Sequence, residues 1–400
     1  MDPTRFLMEA RLICTVVGWT LIVLSVAGSC YTLASAIVLV RFCGQRATLP
    51  PRTEPVTLLK PLYGSEPRLL ENLSSFCALD HAGPVQIVFG VQRPNDPALA
   101  AIAELRARFP QARIDVVSTT PAGFAAAANG KIANLMAMAP HAAHDVLVLS
   151  DSDIAVTADY LAHVLAALDP PGVGAVTCAY RGRGDAGFWS RLGAAGLDWQ
   201  MLPGVVFGER TGLAAPCMGS TIALRGETLA AIGGFEAFAE TLADDYAIGA
   251  AIRARGESVA LPPLLVTHGS ADASLADLWR HETRWAATVL GVEPVGHAAS
   301  VIAMPLPLAL LALPFVPWAG ALALLVAWLA RAVLMLVSAG ATHANPFGSK
   351  ALSLAVLPIR DILSFAVYIA SFATRSVVWR DEKLTMTPDG RIKPGAETTA

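Results

Sequence analysis

Residues 12–40 contain no ionisable side chain other than two cysteines and one tyrosine. That run exceeds the ~20 residues a helix needs to cross a bilayer. A second charge-free stretch covers residues 298–330, and a third, 351–373, is interrupted only by Arg360 and Asp361. Between them, residues 53–291 alternate short apolar runs with charged and Gly/Pro-rich segments, the pattern of a globular domain. The periodicities there predict strands and helices in turn. Strands are predicted at 56–59 (ended by Lys60-Pro61), 85–91, 114–117, 146–149, 173–180, 221–224 and 258–261. Helices are predicted at 67–79, 98–109, 131–139, 159–168, 242–255 and 275–290. Such alternation specifies an α/β, doubly wound, mainly parallel sheet, in which ligands bind at the carboxyl ends of the strands.

Composition sharpens this division. Of 400 residues, 54% are hydrophobic and only 15% charged, whereas about a quarter are charged in an ordinary soluble protein. The first apolar run is too long for the h-region of a signal peptide and lacks a small-residue cleavage site, so it reads as a permanent anchor at 12–40. Arg41, Arg46 and Arg52 follow it closely, which places the domain at 53–291 in the cytoplasm by the positive-inside rule. Residues 298–374 offer two or three further membrane helices. The tail, 375–400, is mildly basic through Arg375, Arg380, Lys383, Arg391 and Lys393, which favours the cytoplasm. Three full crossings from the cytoplasm would put that tail outside, so one segment is expected to lie in the interface or to re-enter. The six cysteines form no CxxC pair and suggest neither a zinc site nor a disulfide framework. A net charge of −3 argues against nucleic acid as a partner.

Within the domain, acidic residues fall where an α/β sheet binds its ligands. Asp151 and Asp153 stand two residues apart just past the strand at 146–149, a spacing that suits Mg or Mn, hard cations that take carboxylate and diphosphate oxygens together. Asp-Ser-Asp is also ordinary turn composition. Asp96, in Pro-Asn-Asp-Pro, is placed to cap the following helix and to contact a nucleotide. Asp244-Asp245 opens a helix, where the helix dipole favours anions; Asp245 is the candidate general base. Arg284-Trp285 lies on the last helix of the domain, where the guanidinium fork suits diphosphate oxygens and the pair also suits a membrane anchor. Lys131, after Asn129-Gly130, runs against the helix dipole and hints at an anionic ligand, and Gly219 lies in the Gly-rich passage 216–220. Residues 188–202, rich in aromatics and lightly charged, are expected to lie at the membrane surface and guide a lipid acceptor inward.

Together VTLLKPLYGSEPRLLENL, IVFGVQRPNDPA, NGKIANL, VLVLSDSDI, APCMGSTIALR, LADDYAIG and RHETRW resemble the ceramide glucosyltransferase family, closest to its bacterial branch of hopanoid biosynthesis-associated glycosyltransferases. The resemblance runs from Val56 to Trp285. It implies a GT-A fold, a cytosolic active site in the bacterial inner membrane, a nucleotide-sugar donor and inversion at the anomeric carbon. It places the family's three aspartates on Asp96, Asp151 and Asp245, with Asp245 as the base. Lys131, Gly219, Arg284 and Trp285 would join the donor site, and Asp151 with Asp153 would hold the metal. The family usually carries Gln or Arg three residues before Arg-Trp; His281 stands there in this chain.

The expected activity is therefore that of a metal-dependent, inverting hexosyltransferase. By resemblance its donor would be UDP-N-acetylglucosamine and its acceptor bacteriohopanetetrol. A ceramide glucosyltransferase using UDP-glucose is the second reading. A processive polysaccharide synthase is disfavoured by the few spans and the HETRW element, and a catalytically inactive scaffold by the intact carboxylates.

Overall fold

The computed structural model describes residues 3–119, 127–374, 376–379, 382–386 and 392–394. Arg375, Arg380 and Arg391, which contribute to the basicity of the tail, lie outside the described residues. The domain is built on a seven-stranded sheet in the order β3-β2-β1-β4-β8-β6-β9. Its strands are β1 (Val56–Leu62), β2 (Val85–Val91), β3 (Arg113–Ser118), β4 (Val146–Leu149), β6 (Val173–Thr177), β8 (Ile222–Arg225) and β9 (Ser258–Ala260). The first four are mutually parallel, β8 runs antiparallel to both β4 and β6, and β9 is parallel to β6. The sheet is therefore mixed, with a parallel half that carries the GT-A-type α/β arrangement. A second sheet, in the order β5-β10-β7, joins β5 (Ile154–Ala155), β7 (Ala179–Gly184) and β10 (Leu265–Ser270).

Both faces of the main sheet are covered, so successive residues of one strand enter different cores. Leu58 packs with Phe76, Phe89, Ile102 and Leu165 on one side. Leu59 packs with Val88, Ile132, Leu224 and Ile248 on the other. This explains why the strands at 85–91 and 146–149 read as continuous apolar runs.

Two strand expectations need correction. Lys60-Pro61 does not end β1, which continues to Leu62. β4 pairs with β1 only as far as Leu59, so Pro61, which has no N–H, lies where only β2 is still alongside. The single strand expected at 173–180 is two, β6 and β7, in different sheets, parted at the buried Cys178. β5 and β10 carry too little periodicity to have been read.

The apolar ends form helices. The N-terminal helix spans Pro3–Gly44. Its upper part packs on Pro305–Ala312 and Pro317–Thr342 through a stripe of small residues, Ala309, Ala312, Ala319, Ala323 and Ala327. Close approach is required: a Cβ at Gly28 would stand 2.3 Å from the Ile302 carbonyl oxygen. Its last turns dock on the domain, where Leu39 and Phe42 meet Leu202, Val206 and Leu261. Arg46 and Arg52, just beyond, pair with Asp159 and with Glu54 and Asp169. Among the described residues three helices are long and apolar enough to cross a membrane, Leu7–Gly44, Pro317–Thr342 and Lys350–Ser371, and Pro294–Ala303 with Pro305–Ala312 forms a further pair bent by 69°. All six cysteines are free thiols.

The helix Lys350–Ser371 packs on the domain through its middle and is tied at its two ends to the segments that flank the membrane-type helices. Ser353 Oγ donates to Asn345, Arg360 makes two bonds to Glu282 at 2.7 and 2.9 Å, Ser364 donates to Gln200, and Ser371 meets His297 at 2.8 Å. Asp361 is buried against Arg331 of Pro317–Thr342 in a two-bond pair at 2.8 Å, and the same guanidinium donates to the Trp199 carbonyl at 2.7 Å. Both side chains are only 2% exposed. Leu352, Ile359, Ile362 and Ile369 face outward.

Removing one member of a fully buried ion pair strands the other, at a cost of about 3–5 kcal/mol. Asp361→Leu is therefore expected to lower the unfolding temperature in detergent sharply. The double variant Arg331→Met/Asp361→Leu should recover much of the loss. Equal destabilisation of single and double variants would show that packing, rather than charge pairing, holds this seam.

Candidate active site

The topology gathers one edge of the sheet. β1, β2 and β4 are parallel, so the segments after Leu62, Val91 and Leu149 emerge together. β8 is antiparallel with Ile222 opposite Leu149, so the passage before it, containing Gly219, reaches the same edge.

Four of the expected residues meet around Gly219. Lys131 Nζ lies 2.8 Å from Asp151 Oδ1 and 3.2 Å from Asp244 Oδ2. The Gly219 N–H donates to Asp245 Oδ2 at 2.9 Å, and the Tyr246 N–H donates to Asp245 Oδ1 at 2.8 Å. A Cβ on Gly219 would stand 3.0 Å from Asp151 Oδ2, 3.0 Å from Lys131 Nζ and 3.5 Å from Asp245 Oδ2. Glycine thus keeps open the corner into which three functional groups converge. Asn129 sets its geometry: its side-chain oxygen caps the helix Gly130–Met138 at Lys131 N and Ile132 N, and its amide donates to the Thr241 carbonyl and to Asp244. The bond to Asp244 ties the starts of the helices Gly130–Met138 and Asp244–Ala254 together.

The adjacent acids are thereby divided. Asp244 is turned to Lys131 and Asn129, and Asp245 to Gly219. Burial, then the charge of Asp244, pushes the Asp245 carboxyl up to about 6, against the opposing pull of Lys131 and two backbone N–H groups. Burial works against the Lys131 ammonium, but Asp151, Asp244 and Asp245 outweigh it and raise its pKa. The Asp151 carboxyl is raised, first by burial and then by Asp153, against Lys131.

Asp153 belongs to a second group. Its Oδ2 lies 3.2 Å from His268 Nε2, and its carbonyl accepts from Gly269 N at 2.9 Å. Burial would raise this carboxyl, but His268, Lys60 and His281 hold it below the usual carboxylate range. His268 stacks on Tyr180 at 5.3 Å and meets the edge of Trp285 at 5.8 Å. Trp285 is backed by His281 at 4.4 Å, and His281 Nδ1 lies 3.2 Å from Asp272. His281 therefore orients the tryptophan wall. Arg284 precedes Trp285 on the helix Leu275–Val292, and its carbonyl accepts from Thr288 at 2.8 Å.

The Asp151–Asp153 turn is pinned from beneath. Buried Lys60 donates to the Asp151 carbonyl at 2.7 Å and to Ser150 Oγ at 3.2 Å, with Phe76 3.7 Å below its ammonium. Burial pulls the Lys60 pKa down to about 7 against Asp151, Asp153 and Glu66. Ser152 donates to Glu66 at 2.9 Å. Asp96 sits apart from the Gly219 corner: its Oδ1 accepts from Gly64 N at 3.0 Å and Ala98 N at 2.9 Å, joining the loop after β1 to the helix Ala98–Arg108.

Lys60, Asn129, Tyr180 and His268 escape the sequence reading. A histidine within Leu-Val-Thr-His-Gly-Ser carries no spacing signal, and Lys60 reads as a strand stop. Residues 188–202 are also not the surface expected. Leu192, Trp199 and Leu202 are buried, and Leu192 and Trp199 pack among Leu278, Met335, Val356 and Leu357. Phe188 alone among the large apolar residues of that stretch is exposed, at 47%. The stretch is the joint between domain and membrane-type helices, because it has apolar neighbours on both sides.

A divalent cation can be tested against these groups. Asp153 Oδ1 is buried without a hydrogen-bond partner, and Asp151 Oδ2 faces the open corner at Gly219. Among the described residues no cluster of three or more His, Cys, Asp or Glu closes around an ion. The two aspartates fit a cation whose remaining ligands are diphosphate oxygens.

A 124-residue segment is 30% identical to a ceramide glucosyltransferase of Candida albicans, covering 29% of this chain and 23% of that protein. The chain thus matches less than a quarter of that relative's length. Among solved structures, it is similar to a mannosyltransferase from Pyrobaculum calidifontis in complex with GDP-mannose and Mn2+ (20% identity, 88% of this chain and 98% of the other, TM-score 0.49). It is also similar to glucosyl-3-phosphoglycerate synthase from Mycobacterium tuberculosis in complex with Mn2+ and UDP-glucose (18% identity, 59% and 78%, TM-score 0.34). The profile of glycosyl transferase family 21 matches residues 19–392, and the chain belongs to that family.

Proposed function

We propose that the chain is a membrane-bound inverting glycosyltransferase that moves a sugar from UDP-N-acetylglucosamine to a lipid alcohol, the hopanoid bacteriohopanetetrol. It would work on the cytoplasmic face of the bacterial inner membrane. The observation that carries this reading is the corner at Gly219, where the Asp245 carboxylate, held by two backbone N–H groups, stands beside the Asp151–Lys131 pair. A base for the acceptor and groups for the leaving diphosphate are needed within one sugar's width, and this corner supplies both.

The chemistry follows from the groups present. Asp245, ionised at neutral pH, takes the proton of the acceptor hydroxyl as its oxygen attacks the anomeric carbon. The bond from that carbon to the diphosphate oxygen breaks, and the nucleoside diphosphate leaves with the electron pair. Lys131 and Arg284 are the cations proposed to face the diphosphate. Asp151 and Asp153 would hold Mg or Mn, which supplies positive charge for the leaving group. Trp285, braced by His281 and His268, would wall the sugar, and Asp96 would contact the nucleotide. A lipid acceptor is supported by the outward apolar face of Lys350–Ser371, which packs on the helix carrying Trp285.

Lys350–Ser371 also bears on the membrane arrangement. A spanning helix leaves the domain within a few turns, as Pro3–Gly44 does, whereas this one stays against the domain from Val356 to Ser364. We read it as lying in the interface, with the bent pair Pro294–Ala312 and the helix Pro317–Thr342 crossing out and back. Domain and tail then share one side.

The Candida albicans relative favours a second reading, a ceramide glucosyltransferase using UDP-glucose. Purified protein offered a panel of UDP-sugars with hopanoid and ceramide acceptors separates the two. Transfer to bacteriohopanetetrol from UDP-N-acetylglucosamine alone supports the first; glucosylceramide as the product replaces it.

Asp245→Asn is expected to lower turnover by about a hundredfold or more, the scale of general base catalysis, with UDP affinity in calorimetry close to the parent. Turnover near the parental rate would move the base elsewhere, Asp244 first. Because the base acts deprotonated and its pKa is raised to about 6, kcat/KM should fall as pH drops below about 6, roughly tenfold per unit. A profile flat down to about pH 4.5 would contradict the assignment. For the cation, chelation with EDTA is expected to abolish transfer, and Asp151→Ala or Asp153→Ala to weaken UDP binding in Mn2+. Metal-independent binding by the parent would remove the cation from the scheme.

A further inference from the structure

A cavity of about 600 Å³ opens beside edge strand β7, where the loop between Pro317–Thr342 and Lys350–Ser371 folds back on the domain. Arg181, Arg183, Arg191 and His343 line it, together with Thr267 and Phe347, and none of its lining residues is acidic. Arg183 is neutralised by two bonds to Asp185 at 2.8 Å. Arg181 is different. It donates to Thr267 Oγ1 at 3.2 Å and to the Thr342 carbonyl at 2.6 Å, both uncharged, so its charge is held in place without a carboxylate pair. Asp198, on the neighbouring π-helical turn, accepts from Gly182 N at 2.7 Å and forms no ion pair with Arg181. Arg191, one turn into the helix Phe188–Gly196, is exposed, and its guanidinium makes no hydrogen bond or ion pair among the described residues.

The surroundings say which anion fits. The loop after Thr342 joins two helices of membrane character, and in the arrangement proposed above it lies on the cytoplasmic side of the bilayer. His343 adopts the left-handed conformation, with φ 54°, where it ends Pro317–Thr342 and turns the chain toward the arginines. Phe347 packs against Phe188 at 5.9 Å, and Phe188 is half exposed at the rim. Fixed guanidinium charge beside an exposed aromatic edge, at the cytoplasmic end of a helix pair, is the chemistry of a site for an anionic lipid headgroup. We infer that this cavity binds the phosphate of an anionic phospholipid, with Arg181 and Arg191 as its cations and Phe188 against the acyl chains. The inference rests on the reading of the chain as a membrane protein.

The test uses the full chain in nanodiscs of phosphatidylcholine, with and without phosphatidylglycerol, and native mass spectrometry of the lipid retained. Incorporation into phosphatidylcholine discs by itself checks the membrane reading. The parent is expected to retain phosphatidylglycerol over phosphatidylcholine. At about 1 kcal/mol per arginine, Arg191→Gln should weaken that retention roughly fivefold and Arg181→Gln/Arg191→Gln roughly thirtyfold. Arg255→Gln, an exposed arginine that does not line the cavity, should leave it unchanged. No preference for phosphatidylglycerol in the parent, or equal retention by Arg191→Gln, overturns the inference. Full displacement of the lipid by millimolar inorganic phosphate also overturns it, by showing that the cavity takes a free anion.

Discussion

Three carboxylates, those of Asp151, Asp244 and Asp245, cannot share one buried corner unless a cation shares it with them. Lys131 is that cation. Its ammonium reaches Asp151 just past β4 and Asp244 at the start of the helix Asp244–Ala254, so it joins the parallel half of the sheet to the half built around β8. Asn129 enforces the position by capping the lysine's own helix while holding Asp244. The same arrangement separates the two adjacent acids, since Asp244 balances the ammonium and Asp245 is released toward Gly219. A raised carboxyl pKa on Asp245 then follows from burial and from its neighbour's charge.

The sheet edge that gathers the acidic residues and the membrane-type helices are mechanically continuous. Glu282 stands between His281 and Thr283 in the segment that supplies Trp285, and it is gripped by Arg360 of Lys350–Ser371. The next residue along that helix, Asp361, is locked to Arg331, which also holds the Trp199 carbonyl. Charges that would be costly in hydrocarbon are thereby spent on fixing the helix that carries Trp285. Trp199 belongs to a five-residue π-helical turn, Leu197–Met201, which frees its carbonyl for the guanidinium.

The Asp151–Asp153 turn illustrates how a short acidic string becomes specific. Its two carboxylates serve different neighbours, Lys131 and His268, because the turn is held from below by Lys60 and from the side by Ser152 and Glu66. The second sheet exists to carry this division: β5 leaves the turn directly and β10 brings His268 alongside it.

Local pattern alone was sufficient for the alternation of helices and strands along the main sheet, for the apolar character of both ends, and for the acidic residues at the strand ends. Burial on both faces leaves a continuous apolar run, and a carboxylate just past such a run has few other places to be. Pattern was insufficient where a residue's meaning depends on a partner remote in the chain. Lys60 looked like a strand stop because nothing local shows that β4 ends one residue earlier in register. The strand at 173–180 had to be divided because its halves bind different sheets. His268 and Tyr180 acquire a role only when β7 and β10 pair, and residues 188–202 look interfacial until two helices from beyond residue 317 cover them. The choice between Asp244 and Asp245 was the finest of these. Adjacent residues on one helix are distinguished only by direction, and direction here was decided by where the tertiary structure placed a lysine and a glycine.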